Sequence, residues 1–224
     1  MLTTNTYFIT VSRICQVPLS FSLVVFLLRC YLICMTEKFR YETKEIIATL
    51  IGVALAVATH RLETMLFSPA GDTAQIFSLI HLRVLVTALT GVFFGPVTGL
   101  LVGTGGALLI NVLADTPIIY TDIAALGLYG FFIGLYFGKN HYDPDDFSAR
   151  TIVDFNAVQL LAAIFCDMLL LPLLSFLFYK VSLLSSVVTG AKRVVINSVI
   201  VGLVCPLVMG IVYLIRRGRK RAGA

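Results

Sequence analysis

The sequence is poor in charged residues, which make up 13% of its 224 residues, and it has no tryptophan. A soluble domain carries about 25% charged residues, so this shortage excludes an ordinary soluble protein. Hydrophobic residues reach 58%, and the mean hydropathy is +0.96. The composition therefore predicts an integral membrane protein of the all-α class, with no room for a separate soluble catalytic domain.

Groups that carry out catalysis or bind metals are also scarce. The five cysteines are scattered through apolar runs without a CxxC pair, and the three histidines lack metal-ligand spacing. No Walker A, HExxH or GxSxG motif is present. The acidic stretch at 143–146 lacks the spacing of an EF-hand and indicates a solvated loop. We therefore predict no enzyme activity, no metal and no cofactor.

The chain is organised around FFGPVTGLLVGTGGALL, residues 93–109. Gly95 suits the left-handed residue that ends one helix, and Pro96 suits the first turn of the next. Small residues then recur every fourth position, at Gly95, Gly99, Gly103 and Ala107, and again at Gly130, Gly134 and Gly138. Such stripes let helix backbones approach closely in lipid, so we predict a compact bundle of membrane helices.

Apolar segments predict six transmembrane helices. Their predicted ranges are 45–62, 74–94, 96–113, 123–137, 155–179 and 194–215. The predicted division is an N-terminal extension (1–40), a six-helix substrate-binding domain (41–216) and a basic tail (217–224). A seventh helix at 17–35 is an alternative, but Arg29 lies inside that segment. We favour Met35 as the native start, which would leave residues 1–34 out of the native protein.

Basic residues near the ends of the spans predict the orientation. If the chain has six transmembrane helices, three groups of basic residues lie on the same side of the membrane. They are the basic residues before the first helix, those at 139–154 and the C-terminal cluster. If the chain starts at Met35, both termini are therefore predicted to be cytoplasmic, in a multi-pass protein of the bacterial plasma membrane. After an apolar segment, the C-terminal cluster indicates a topology anchor rather than a nucleic-acid site.

Some polar residues lie inside the apolar segments. A charge at the centre of a span costs about 2.5–3.5 kcal/mol on insertion scales, so it usually faces the bundle interior or a water-filled cavity. We place Arg83 and Asn197 in the outer half of the bilayer and Asp167 near its midplane. Two interpretations stay open: an Arg83–Asp167 salt bridge that fixes packing, or contact with a ligand. The predicted outward-opening site consists of Asn111, Tyr129, Asp167, Asn197, Arg83 and Asp115.

Three stretches resemble the substrate-capture (S) components of energy-coupling factor (ECF) transporters. They are LRVLVTALTGVFFGPVTGLLVGTGGALL, IAALGLYGFFIGLYFG and FNAVQLLAAIFCDMLLLPLLSFLFY. The resemblance is greatest to the riboflavin-type and related uncharacterised branch, and it covers about residues 45–213. It implies a six-helix subunit that captures a vitamin or precursor at the outer face. It also implies two kinds of partner, a transmembrane T component and two cytoplasmic ATPases that drive import.

The resemblance assigns roles to individual residues. The family presents an AxxxA arrangement of its first helix to the T component, which corresponds to Ala54 and Ala58 here. A second small-residue stripe of that helix, Ala48, Gly52 and Ala56, is predicted to pack inside the bundle. The family's pocket corresponds to Tyr129, Asp167 and Asn197. The chain departs from the family where relatives often carry His and Asp, at Ala107 and Asn111, and it lacks the Met-His start of cobalt and nickel members.

Two other classes of function stay open. Membrane sensor modules of histidine kinases also use LR…GP…G…G hairpins, and residues 79–138 alone fit one. Such modules normally continue into a cytoplasmic signalling domain, whereas this sequence stops at Ala224. A membrane-embedded enzyme would need paired carboxylates or a metal cluster, which we do not find. The leading expectation is the substrate-capture subunit, with the sensor module as its alternative.

Overall fold

The computed structural model describes residues 43–66, 80–115, 118–140 and 147–222, and those residues are almost entirely helical. Its six helices are α1 (Thr43–Leu66), α2 (Leu82–Phe94), α3 (Pro96–Leu113), α4 (Tyr120–Asn140), α5 (Ala149–Tyr179) and α6 (Leu183–Ala222). All but α2 are long and apolar enough to cross a membrane. The described part of the chain contains no strand. The predicted all-α, six-helix membrane bundle is therefore confirmed.

The observed helices differ from the predicted ones mainly at their ends. The bounds of α3 are as predicted, whereas α6 begins at Leu183 instead of residue 194. Its 40 residues span about 60 Å at 1.5 Å per residue, which is about twice the hydrocarbon thickness. A prediction from the apolar segment alone therefore covers only the middle of this helix. The predicted start of α2 at Ala74 is wrong, because Ile80 and His81 are not helical. The proposed helix at 17–35 and the start at Met35 lie outside the described residues.

The predicted hinge between α2 and α3 is present. Gly95 alone separates the two helices, with φ +92° and ψ −177°, and Pro96 occupies the first turn of α3. The positive φ is strained for a residue with a side chain, which explains glycine at this position. The chain therefore reverses within one residue, and α2 and α3 form a tight antiparallel pair.

Glycines hold α3 against α4 at backbone contact. A Cβ atom added to Gly99 would lie 2.5 Å from the carbonyl oxygen of Gly130, and one added to Gly134 would lie 2.5 Å from Cα of Pro96. No side chain fits into such a gap. The two predicted glycine stripes therefore face each other, as their spacing indicated.

The predicted internal stripe of α1 is also found. Ala48, Gly52 and Ala56 are buried, and a Cβ atom on Gly52 would lie 2.6 Å from the Val102 side chain of α3. Ala54 and Ala58 are exposed on another face of α1. Among the described helices, α1 packs mainly against α2 and α3, whereas α5 and α6 form the other flank of the bundle.

The glycine contact yields a prediction about stability. Gly99→Ala places a methyl group against backbone atoms that cannot move aside, so it should destabilise the bundle by about 1–3 kcal/mol, the usual cost of overpacking. Thermal unfolding of the detergent-solubilised protein measures the loss. Gly218→Ala is the control, because nothing lies within 4 Å of its added Cβ. Equal melting temperatures for the two variants would contradict the packing account.

Candidate functional site

A polar cavity lies among α2, α4, α5 and α6, at the end of the bundle where α2 and α4 begin. We call it the site cavity and this end of the bundle the site end. Its enclosed volume is about 30 Å³, and it reaches about 460 Å³ only when the open mouth is counted. The polar residues in its wall are His81, Arg83, Asp122, Tyr129, Asp167, Arg193, Asn197 and Ser198. A polar cavity inside an apolar bundle is the arrangement expected of a small-ligand site.

Two arginines share one carboxylate in this cavity. Arg83 Nη2 lies 2.6 Å from Asp122 Oδ2, and Arg193 Nη1 lies 3.3 Å from Asp122 Oδ1. The predicted alternative, a salt bridge between Arg83 and Asp167, is therefore wrong. Arg83 and Asp122 lie in the first turns of α2 and α4, and α2 packs directly on α4, which brings them together. Because one carboxylate serves two guanidinium groups, part of their hydrogen-bonding capacity is left over.

Hydrogen bonds to side chains of α6 and α1 hold the start of α2. The backbone N–H of His81 donates to Asn197 Oδ1 at 2.9 Å, and the N–H of Leu82 donates to the Glu63 carboxylate. These bonds satisfy N–H groups that a helix start leaves without an intrahelical partner. Burial, reinforced by the charges of Arg83 and Arg193, lowers the pKa of His81 to about 3. The imidazole is therefore neutral at physiological pH and offers one donor and one acceptor.

A second polar chain crosses the bundle beside the cavity. The Tyr129 hydroxyl lies 3.4 Å from Gln159 Oε1, and Gln159 Nε2 donates to the carbonyl of Ser198 at 3.2 Å. Tyr129 and Gln159 are buried, so these contacts satisfy groups that have left water. This series of hydrogen bonds joins α4, α5 and α6 and thereby fixes the position of Tyr129 in the cavity wall.

Asp167 lies in a π-helical segment of α5, Ile164–Leu170. Such segments insert a residue into the α-helical register and are frequent at functional sites. The carbonyl of Asp167 packs directly against Gly190 of α6, three positions before Arg193. Asp167 lies in the wall of the site cavity, and its predicted depth near the bilayer midplane stays a prediction. Its carboxylate makes no hydrogen bond or ion pair within the described ranges.

Several buried polar atoms around the cavity have no hydrogen-bond partner among the residues that the structure describes. They are His81 Nε2, Arg83 Nε, Arg193 Nε and Ser198 Oγ. Buried polar atoms are normally paired, so four exceptions around one cavity require an explanation. They come from α2, α6 and the residue before α2, and all four residues contribute to the cavity wall.

The structure brings together four of the six predicted site residues. Arg83, Tyr129, Asp167 and Asn197 line the site cavity. Asn111 is half-buried near the end of α3, and Asp115 is exposed just beyond it. These two lie at the site end but outside the cavity wall, and their role in binding stays a prediction.

Other residues of the cavity were not predicted as site residues. Arg193 directly precedes the predicted sixth helix (194–215), so it was not placed in the site. Gln159 gave a signal that was overlooked, namely a long polar side chain inside the apolar run of α5. Asp122 stood among the polar residues at the start of α4, and only the packing of α2 on α4 reveals it as the partner of Arg83.

Comparison with known proteins agrees with this architecture. The family model described as "ECF-type riboflavin transporter, S component" matches residues 40–213. A UPF0397 protein of Streptococcus pneumoniae (strain Hungary19A-6) is 32% identical over 141 residues, which cover 63% of this chain and 74% of that protein. A UPF0397 protein of Streptococcus gordonii is 33% identical over 141 residues, covering 62% and 72%. No solved structure gives a significant match.

The family match covers more than three quarters of the chain, including all six helices except the end of α6. The family consists of membrane transporter subunits and is not a class of enzymes. The family and the several apolar helices of the structure both indicate a multi-pass protein of the plasma membrane. Within the described ranges, no three His, Cys, Asp or Glu residues are grouped so as to hold a metal ion. This chain belongs to the ECF-type riboflavin transporter S component family, and it is a substrate-specific subunit of a membrane transporter.

Proposed function

We propose that this protein captures a water-soluble vitamin or precursor in the site cavity, for import driven by a T component and two ATPases. The observation that carries the proposal is the set of unpartnered polar atoms around one cavity in an apolar bundle. A membrane protein that buries such groups without a ligand loses free energy, since each unpaired group costs about 1–3 kcal/mol. A bound polar ligand would restore those hydrogen bonds.

The chemistry of the wall specifies the kind of ligand. The two unpartnered arginine nitrogens are donors, so the ligand presents acceptors such as carbonyl or ring-nitrogen atoms towards α2 and α6. The Asp167 carboxylate, in the α5 wall of the cavity, can accept hydrogen bonds, which suits an N–H or O–H group of the ligand. Riboflavin carries carbonyl oxygens, ring nitrogens and hydroxyl groups, and the family description makes it the first compound to test.

The length of α6 supports an outward-facing site. Arg193, in the cavity, and Arg216 enclose an apolar stretch, residues 194–215, which spans about 33 Å at 1.5 Å per residue. This distance matches the hydrocarbon thickness of about 30 Å, so the two arginines lie at opposite interfaces. The basic cluster after residue 215 favours the cytoplasmic side for its own end. The site cavity then opens outward, and the C-terminus is cytoplasmic, in agreement with the predicted orientation.

The exposed alanines of α1 are the proposed contact for the T component. Ala54 and Ala58 are exposed although Ala48 and Ala56, on the other stripe of the same helix, are buried. Large apolar residues surround them, among them Ile51 and Leu55. Small residues at this position would let a partner helix approach closely in lipid.

The first prediction concerns ligand binding. Asp167→Asn removes an acceptor charge and Asn197→Ala removes the partner of the His81 N–H, so each should weaken riboflavin binding by about 1–3 kcal/mol, or roughly 5- to 150-fold. Isothermal titration of the purified protein measures the change. Asp154→Asn is the matched control, an acid of the same helix at the opposite end. If riboflavin does not bind at all, the titration is repeated with the compound found to co-purify, and unchanged affinity in both variants would refute the site.

The second prediction concerns assembly. Ala58→Trp and Ala54→Trp should hold the T component away and abolish its co-purification with the ATPases, because close helix packing is lost. Ligand binding by the isolated variants should be unchanged, since this face lies away from the cavity. Val195→Trp, an equally exposed substitution on α6, is the control. Recovery of the full complex with both alanine variants would place the contact elsewhere.

A further inference from the structure

An apolar groove lies at the opposite end of the bundle, between the last turns of α2, α4 and α6. We call it the basic-end groove. Its empty space, counted to the open surroundings, is about 850 Å³. Its lining residues are Val92, Phe93, Phe94, Phe137, Gly138, Val212 and Arg216. Arg216 is the one charged residue among them.

The groove arises from the hinge that follows α2. Because the chain turns at Gly95, α2 ends here, while α6 continues to Ala222. Gly138 of α4 packs closely on Gly95, so that a Cβ atom on Gly138 would lie 2.6 Å from Cα of Gly95. This contact brings no side chain into the space beside α6. The space is therefore bounded by aromatic and aliphatic walls and is not filled by the described residues.

Arg216 lies where the apolar part of α6 ends. It follows residues 194–215, whose length matches the hydrocarbon thickness, so its guanidinium group is at the level of the lipid headgroups. Arg217 donates to the Tyr213 hydroxyl at 3.0 Å and lies over the Tyr213 ring. Arg216 is exposed and makes no hydrogen bond or ion pair to any residue in the described ranges. Its charge is thus available to an external anion.

We propose that the basic-end groove binds an anionic phospholipid, with an acyl chain along its apolar wall and the phosphate on Arg216. The surrounding medium at this depth is lipid, so an acyl chain is the natural occupant of an apolar opening. Basic pockets between transmembrane helices bind anionic headgroups, and a guanidinium group can bind phosphate through two parallel hydrogen bonds. This site is separate from the site cavity and does not depend on the transported ligand.

The chain itself contains a competing anion. Asp143, Asp145 and Asp146 follow α4 in the sequence and lie outside the described residues. An ion pair between this loop and Arg216 would replace the lipid phosphate. The triple variant Asp143→Asn, Asp145→Asn and Asp146→Asn distinguishes the two cases, because it removes the loop's negative charges and leaves the groove intact.

Native mass spectrometry tests the headgroup contact. The full-length protein is mixed with micelles containing equal amounts of dioleoyl phosphatidylglycerol and dioleoyl phosphatidylcholine, and the retained lipids are counted. We expect preferential retention of phosphatidylglycerol, and about a fivefold loss in Arg216→Gln, which corresponds to the ~1 kcal/mol net contribution of a hydrogen bond made directly to the phosphate. Arg219→Gln, on the same helix but outside the groove wall, should behave as the native protein does.

A second pair of variants tests the acyl chain contact. Val212→Trp fills the groove and keeps every charge, so phosphatidylglycerol retention should fall as far as in Arg216→Gln. Leu214→Trp changes an exposed residue two positions further along α6 and outside the groove wall, so this variant should retain phosphatidylglycerol as the native protein does. Equal retention of the two lipids by the native protein would overturn the proposal. So would equal phosphatidylglycerol retention by Arg216→Gln and Arg219→Gln, or by Val212→Trp and Leu214→Trp. Retention by the triple Asn variant but not by the native protein would show that the acidic loop occupies the groove.

Discussion

The bundle depends on direct contact between helix backbones at Gly130. A Cβ atom on Gly99 of α3 would lie 2.5 Å from the Gly130 carbonyl oxygen, and one on Gly91 of α2 would lie 2.7 Å from the same atom. Three helices therefore meet at one residue without side chains between them. In lipid, where apolar side chains gain nothing from leaving their surroundings, such close packing is a main source of helix association.

The same contact sets the geometry of the site. Arg83 lies eight positions before Gly91, and Asp122 lies eight positions before Gly130. Because Gly91 and Gly130 touch and the two helices run in the same direction, Arg83 and Asp122 reach the site end at the same height. Arg193 of α6 then shares the Asp122 carboxylate. The position of the charged cluster thus follows from where the glycines stand in the sequence, and two cations around one anion leave donors for a ligand.

Features with a local cause could be predicted from the sequence. The hinge requires a residue that tolerates positive φ followed by a residue of fixed φ, and Gly95-Pro96 meets both conditions. The α3 stripe requires small residues at a four-residue interval, which can be counted directly. Arg83, Asp167 and Asn197 are notable in sequence because polar groups are rare in apolar segments.

Features that depend on neighbouring helices could not be predicted. A salt bridge between Arg83 and Asp167 was one of two open interpretations, because the sequence does not reveal that α4 rather than α5 lies against α2. Arg193 was not predicted as a site residue, because the first turns of α6 are polar and the helix was predicted to begin only at residue 194.

The measurement that tests the central claim most directly is identification of the small molecules that heat releases from the purified, detergent-solubilised protein. The released molecules are identified by mass spectrometry for the native protein and for Arg193→Gln at equal protein concentration. The account predicts one water-soluble compound with several hydrogen-bond acceptors, abundant in the native sample and strongly reduced in the variant, which keeps Arg83 paired with Asp122. The same small-molecule profile from both proteins would contradict a substrate site in the cavity.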